Sequence, residues 1–128
     1  MLYPLFIEET DDTPRVLFDP AKGTFEITKK SLPEDAVGFY SSVFEWLNLY
    51  IDSPNQETIF KFDLEYYSTS TAKQITKLMF LLEKLSERSK VSVIWNHKIG
   101  DRDMEAAGNR YKHLINVDIQ VEAVPEND

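Results

Sequence analysis

Apolar residues alternate with polar ones along several short stretches of the chain and recur at helical spacing along three longer segments. Alternation is typical of a half-buried strand, whereas recurrence at every third or fourth position is typical of an amphipathic helix. The strand candidates are residues 2–7, 15–18, 24–28, 58–67, 91–95 and 115–121, and the helix candidates are residues 31–51, 72–85 and 101–113. Pro4 interrupts the first strand candidate, which suits the edge of a sheet.

The start of the first helix is predicted from four residues, Ser31-Leu32-Pro33-Glu34. Ser31 is a suitable N-cap, Pro33 suits the first turn, and Glu34 completes a capping box. A Pro-Gly turn at residues 19–23 joins two of the strand candidates and predicts a hairpin.

The clearest strand is residues 58–67, where alternation places four apolar side chains on one face: Phe60, Phe62, Leu64 and Tyr66. Strands separated by helices are expected to be parallel neighbours with right-handed crossovers. The pattern therefore predicts an α/β fold, with an N-terminal hairpin, a four- to five-stranded mixed sheet and about three helices packed on it.

Length and composition favour a single globular domain spanning residues 1–128. The chain has 128 residues, of which 42% are hydrophobic, and it has no cysteine. Disulfides and a cysteine nucleophile are excluded, and the absence of cysteine fits a reducing compartment. No apolar run approaches the roughly 20 residues of a membrane helix. The first eight residues lack the basic flank and long apolar core of a signal peptide, so we expect a cytoplasmic protein.

The formal net charge of −8 narrows the class of partner. Such a charge repels phosphate backbones and anionic lipid surfaces, and the longest basic run is only Lys29-Lys30. We therefore expect no nucleic-acid or membrane partner, whereas a protein partner is compatible.

Four consecutive hydroxyl residues, Ser68 to Thr71, lie between the strand at residues 58–67 and the next helix. Ligands and partners often bind at this carboxyl end of a strand in α/β sheets. Ser70 or Thr71 is the expected helix cap, which leaves its neighbours exposed. A phosphate on Thr69 would add about −1.5 to −2 charge beside the positive end of the helix dipole. The structural alternative is a capped turn without a further role.

The chain resembles the SiaC family of regulatory phosphoproteins, which are related in architecture to the STAS anti-sigma-factor antagonists. The resemblance depends on the order and spacing of segments such as TPRVLFD, SLPEDA, LEYYSTSTAK, VSVIW and DRDMEAAG, which span most of the chain. The family pattern after the central strand is close to Glu-Tyr-Phe-Asn-Thr-Ser-Ser, and its phosphorylated Thr falls on Thr69. Ser68 stands where the family usually has Asn, which tolerates left-handed backbone angles better.

The resemblance implies a partner-switching circuit and no catalytic activity or cofactor of the chain's own. A serine/threonine kinase would modify Thr69, a PP2C-type phosphatase would restore it, and the unmodified form would bind and activate a diguanylate cyclase. Such a circuit governs cyclic di-GMP and biofilm formation. The expected phosphosite loop and partner surface consists of Tyr67, Ser68, Ser70, Thr71 and Lys73 around Thr69.

Two alternatives remain at the level of sequence. His97, Asp101 and Asp103 could form the site of a small metal-dependent, hydrolase-like enzyme, although their spacing fits no familiar ligand motif. The other alternative is a constitutive adaptor that has the same fold and is never modified.

Overall fold

Nine helices and strands make up residues 2–125, the part of the chain that the structure, a computed structural model, describes. In chain order they are β1 (Leu5–Ile7), β2 (Arg15–Asp19), β3 (Thr24–Ser31), α1 (Ala36–Asp52), β4 (Glu57–Tyr67), α2 (Thr69–Leu85), β5 (Lys90–Lys98), α3 (Arg102–Leu114) and β6 (Asp118–Val124). Within residues 2–125, no helix has both the length and the apolar composition needed to cross a bilayer.

The strands form one mixed sheet of six, in the order in which they occur in the sequence. The first three are antiparallel neighbours and β3 to β6 are parallel, which confirms the mixed α/β class and the hairpin. The predicted number of four to five strands is wrong, because the short β1 pairs with β2 through Phe6 and Leu17. Pro4 does not prevent this pairing, since it precedes the first paired residue, Leu5.

The helices cover one face of the sheet. Along β4, Phe60 and Phe62 are fully buried, whereas Lys61 and Asp63 between them are partly exposed and Ile59 is 43% exposed. Right-handed crossovers between strands that follow one another in order place every connecting helix on the same side. Because β3, β4 and β5 are parallel, their carboxyl ends lie at one edge of the sheet, and the amino ends of the helices that follow them, α1, α2 and α3, lie at the same edge.

The capping box predicted at Ser31 and Glu34 is wrong, because β3 continues to Ser31 and α1 begins only at Ala36. The strand passes through Lys29 in a left-handed conformation, with φ of 81°, and then buries the Ser31 side chain completely. Asp35 caps α1 instead, and its carboxylate accepts a hydrogen bond from the Gly38 amide at 3.0 Å.

A β-bulge near the end of β4 reverses the direction of its last side chains. The pairing between β3 and β4 skips Glu65, so the alternation that buries Leu64 does not continue. Tyr66 is 58% exposed, and the prediction that it shares the buried face is wrong. Tyr67 turns inward instead, which is the usual consequence of one extra residue in a strand.

Trp95 on β5 is the centre of the packing near this edge and is completely buried. Its ring lies 5.2 Å from the Phe62 ring and 5.4 Å from the Tyr111 ring, measured between centroids. Its indole N–H donates to the Met104 carbonyl at 2.9 Å, which fixes its orientation. Gly108 of α3 packs directly against the indole, and a Cβ at this position would overlap the ring.

We therefore expect Gly108→Ala to destabilise the protein by about 1–3 kcal/mol, because overpacking a fixed ring outweighs the gain in helix propensity. Urea unfolding followed by circular dichroism measures the difference. Asn109→Ala is the matched control, since the neighbouring side chain is exposed on the same helix. A Gly108→Ala variant as stable as the parent would contradict the close packing of α3 on Trp95.

Candidate functional site

Ser68 alone separates β4 from α2, and it is the N-cap of α2. Its hydroxyl oxygen accepts a hydrogen bond from the Thr71 amide at 3.2 Å. The prediction of Ser70 or Thr71 as cap is wrong, since the helix begins directly after the strand. Ser68 has φ of −78° and ψ of 167°, an extended conformation. No left-handed angle is required here, and Ser caps a helix about as well as the Asn of the family pattern.

Thr71 is completely buried and ties the start of α2 to the end of β3. Its hydroxyl donates to the Ser31 carbonyl at 3.0 Å and lies 2.9 Å from the Ser31 hydroxyl oxygen. The Ser31 hydroxyl oxygen is in turn 2.8 Å from the Tyr40 hydroxyl of α1. The Ser68 amide also donates to the Ser31 carbonyl, at 3.0 Å. Thr71 is sealed from solvent in the isolated chain, so within the predicted phosphosite loop it is a buried anchor and not an exposed side chain.

We refer to Ser31, Tyr40, Ser68 and Thr71 as the hydroxyl network. Sequence reasoning missed the roles of Ser31 and Tyr40, since Ser31 resembles a helix cap and Tyr40 an ordinary core residue. Burial raises the pKa of Tyr40 to about 12, against a smaller opposing effect of its hydrogen bond with Ser31. Tyr40 therefore stays protonated at physiological pH, and the hydrogen bonds of the network join β3, α1 and α2.

Thr69 and Ser70 have the two exposed hydroxyls of the loop. The Ser70 oxygen lies 3.1 Å from the Ser68 oxygen, so it is partly engaged with the cap. The Thr69 hydroxyl makes no hydrogen bond with any of residues 2–125. Among the four hydroxyls, that of Thr69, at the first position of α2, is therefore the one without a hydrogen bond to residues 2–125.

Tyr67 and Lys73 complete the predicted loop and have different environments. Tyr67 is half-buried, and its ring lies edge-on to Trp95 with centroids 6.3 Å apart. Burial raises the pKa of Tyr67 to about 12, and the nearby Tyr111 contributes a smaller increase in the same direction. Lys73 is exposed one helical turn after Thr69, so the two side chains share a face of α2. Tyr66, which alternation placed inside, is exposed beside the loop.

The residues of the hydrolase-like alternative have structural roles or lie apart. The buried His97 has its Nδ1 atom 2.9 Å from the Lys98 carbonyl oxygen. Asp101 is the N-cap of α3. Asp101 and Asp103 line a depression of about 230 Å³ beside Tyr67, but His97 does not. Among residues 2–125, no three His, Asp or Glu side chains are grouped so that they could hold a metal ion.

Comparison with known proteins gives one family and three solved structures. The sequence profile described as SiaC family regulatory phosphoprotein matches residues 7–124. A structure of SiaC of Pseudomonas aeruginosa superimposes with a TM-score of 0.85 at 20% identity, covering 95% of this chain and 99% of that chain. A crystal structure of apo-SiaC from the same organism gives 0.85 at 20% identity, with coverages of 94% and 99%.

The third structure is that of the diguanylate cyclase SiaD in complex with its activator SiaC from Pseudomonas aeruginosa. It matches with a TM-score of 0.87 at 20% identity, over 94% of this chain and 99% of that chain. At this level of identity the three structures establish the fold of the chain. A search of curated protein sequences gives no significant match.

The hydroxyl network can be tested with two identical changes two residues apart. We expect Thr71→Val to destabilise the protein by about 1–3 kcal/mol, because it leaves the buried hydroxyl of Ser31 short of a partner. Thr69→Val should change the free energy of unfolding by no more than about 0.5 kcal/mol, since its side chain is exposed. Urea titration of both variants measures the difference, and equal stabilities would contradict the network.

The raised pKa values predict a loss of stability at alkaline pH. In the folded protein the pKa of Tyr40 and of Tyr67 is about 12, whereas in the unfolded chain both side chains ionise near the ordinary tyrosine pKa of 10.0. The free energy of unfolding should therefore hold below pH 10 and decrease as the pH rises from about 10 to about 12. Tyr40→Phe should remove about 2–3 kcal/mol of this pH-dependent decrease.

Urea unfolding at a series of pH values measures the decrease. Tyr3→Phe is the control, because the Tyr3 ring is 84% exposed. If Tyr40→Phe and Tyr3→Phe show the same pH dependence as the parent, burial of the Tyr40 hydroxyl does not have this effect.

Proposed function

The chain belongs to the SiaC family of regulatory phosphoproteins, and we propose that it works by binding an effector protein under the control of phosphorylation at Thr69. The observation that carries this proposal is the environment of Thr69. Its hydroxyl is exposed at the start of α2, while its neighbours Ser68 and Thr71 are occupied as cap and buried anchor. A kinase therefore meets one free threonine on a rigid turn.

The position of Thr69 allows the protein to accept a phosphate without unfolding. A phosphothreonine has about −1.5 to −2 charge at neutral pH. At the first position of a helix this charge lies beside the positive end of the helix dipole, where anions are stabilising. Lys73, one turn further along, is placed to pair with it. The modified domain therefore keeps its fold, and the new charge and bulk act on whatever protein is docked there.

The proposed effector is a diguanylate cyclase, which the unmodified form binds and activates. This is supported by family membership and by the structural likeness to SiaC, which is the activator of SiaD in the complex from Pseudomonas aeruginosa. In this proposal a serine/threonine kinase modifies Thr69 and a PP2C-type phosphatase restores it. The chain acts as a single cytoplasmic domain without catalysis of its own, related to the STAS antagonists.

The partner surface in this proposal consists of exposed side chains around Thr69. Ser70, Lys73 and Tyr66 are exposed there, and Tyr67 contributes its outer edge. The hydroxyl network contributes indirectly, since it fixes the turn from which these side chains project. Binding is therefore expected to depend on the surface residues through contact and on Thr71 through stability.

The test is a pull-down from the cell of origin with the parent, the Thr69→Ala variant and parent protein phosphorylated by the cognate kinase. We expect the parent and Thr69→Ala to recover the same diguanylate cyclase, and the phosphorylated form to recover much less. Mass spectrometry should locate the phosphate on Thr69. Ser70→Ala, the matched control, should still be phosphorylated, because it removes a neighbouring hydroxyl and keeps Thr69.

Two results would overturn the proposal. If the phosphate is found on Ser70 and Thr69 is unmodified, the switch residue is Ser70 and the assignment to Thr69 is wrong. Equal recovery of the cyclase by phosphorylated and unphosphorylated protein would favour a constitutive adaptor.

A further inference from the structure

A row of exposed side chains extends along α2 from the proposed phosphosite. We call it the lysine stripe; its members are Thr69, Lys73, Lys77, Phe80 and Lys84, all of which are exposed. At 3.6 residues per turn they fall within an arc of roughly 80° and extend for about 22 Å along the helix. Phe80, in the carboxyl-terminal half of α2, is 47% exposed.

The stripe is positively charged in a protein with a formal net charge of −8. Among residues 2–125, ion pairs join Arg15 and Lys61 to Glu26 and involve none of the stripe lysines. Glu83 is the only acidic residue of α2. Its carboxylate accepts a hydrogen bond from the Asn116 amide at 2.6 Å, on the side of α2 facing the α3–β6 connection. None of the three stripe lysines therefore has an ion-pair partner among residues 2–125.

The stability of α2 explains Lys84, which lies in the last turn near the negative end of the helix dipole, but not the other members of the stripe. Lys73 and Lys77 are four residues apart, and like charges at that spacing destabilise a helix. An ordinary solvated helix face alternates acidic and basic residues, and exposing a phenylalanine among lysines adds no stability to the monomer. A surface that combines positive charge with one apolar side chain is instead complementary to an acidic protein surface with an apolar contact point.

We infer that the lysine stripe is the docking surface for an acidic surface of the effector, with Phe80 in apolar contact. This inference rests on the proposed function and names the chemistry of the partner that Thr69 controls. Acidic surfaces of a protein match both the charge of the stripe and its apolar member. Phosphate backbones and anionic lipid would match the charge alone, and the net charge of the whole chain repels them.

Phosphorylation then weakens the complex through charge. A phosphate on Thr69 stands at one end of the stripe and pairs with Lys73 in the same helix. The formal charge of the stripe decreases from +3, counted from its three lysines, to about +1. Because salt screens charges over about 8–10 Å, an acidic partner loses attraction mainly at the Thr69 end of the stripe, around Lys73, in addition to the local steric clash at Thr69.

The test measures the affinity of the diguanylate cyclase recovered by pull-down for four forms of the full chain. These are the parent, the phosphorylated parent, Lys77→Glu/Lys84→Glu, and Lys22→Glu/Lys112→Glu as a control with the same charge change at exposed sites elsewhere. We expect the stripe variant to bind about tenfold more weakly or worse, and the control to bind within about threefold of the parent. Added salt should weaken the parent complex more than that of the stripe variant.

Lys77 and Lys84 are distant from the hydroxyl network, and glutamate is a good helix former. Circular dichroism of Lys77→Glu/Lys84→Glu should therefore show an intact fold. Lys77→Gln/Lys84→Gln, which removes the charges without reversing them, should show an intermediate loss of affinity. Thr69 should remain a kinase substrate in both the glutamate and the glutamine double variants.

The outcomes separate this inference from the proposed function. Equal affinities of the stripe variant and the control, with release on phosphorylation, would overturn the stripe and leave the switch intact. No complex with the unmodified parent would overturn both. Two further outcomes would overturn the inference about the stripe. If the stripe substitutions weaken binding to vesicles containing phosphatidylserine but not to the cyclase, the occupant is a membrane. If they weaken self-association but not binding to the cyclase, the occupant is a second copy of the chain.

Discussion

A hydroxyl group that never reaches solvent holds the candidate switch in place. Thr71 donates from inside the protein to the carbonyl of Ser31, which also accepts from the Ser68 amide. Since an unpaired polar group in this position would cost stability, the first turn of α2 has little freedom to move relative to β3. The exposed Thr69 is therefore presented at a defined place, although its own side chain makes no hydrogen bond within residues 2–125.

The topology of the sheet decides what surrounds this turn. Strands in sequential order with helices on one face bring three helix starts to the same edge. The bulge at Glu65 then directs Tyr66 outward and Tyr67 towards Trp95, immediately before the cap. A register shift of one residue thus exposes an aromatic ring beside the hydroxyls and uses its neighbour to anchor the loop.

Hydrophobic periodicity predicted the three helices, the hairpin and the parallel strands, because each of these depends on local pattern and chain order. It failed where distant residues decide. The Ser-x-x-Glu pattern does not distinguish a helix cap from the end of a strand. Ser31 belongs to the sheet because it pairs with Tyr67 of β4, which is distant in sequence. Residues 2–7 were a strand candidate, but the pattern of a strand with only three residues does not show that it pairs in the sheet, so the predicted number of strands was too low. The assignment of Thr69 as the phosphosite came from family resemblance and remains a prediction, whereas the exposure of Thr69 is a property of the fold.

A phosphate on Thr69 would have opposite consequences for the domain and for an interface. Within the domain it would lie at the positive end of a helix and within reach of Lys73, so its charge is stabilised where it is attached. For a docked acidic surface the identical charge removes attraction and adds repulsion. No hydrogen bond of the hydroxyl network involves the Thr69 hydroxyl. Phosphorylation of Thr69 could therefore change the affinity for a partner without rearranging the core. A switch of this kind depends on the partner's charge, and its response resides in the complex rather than in a second conformation of the chain.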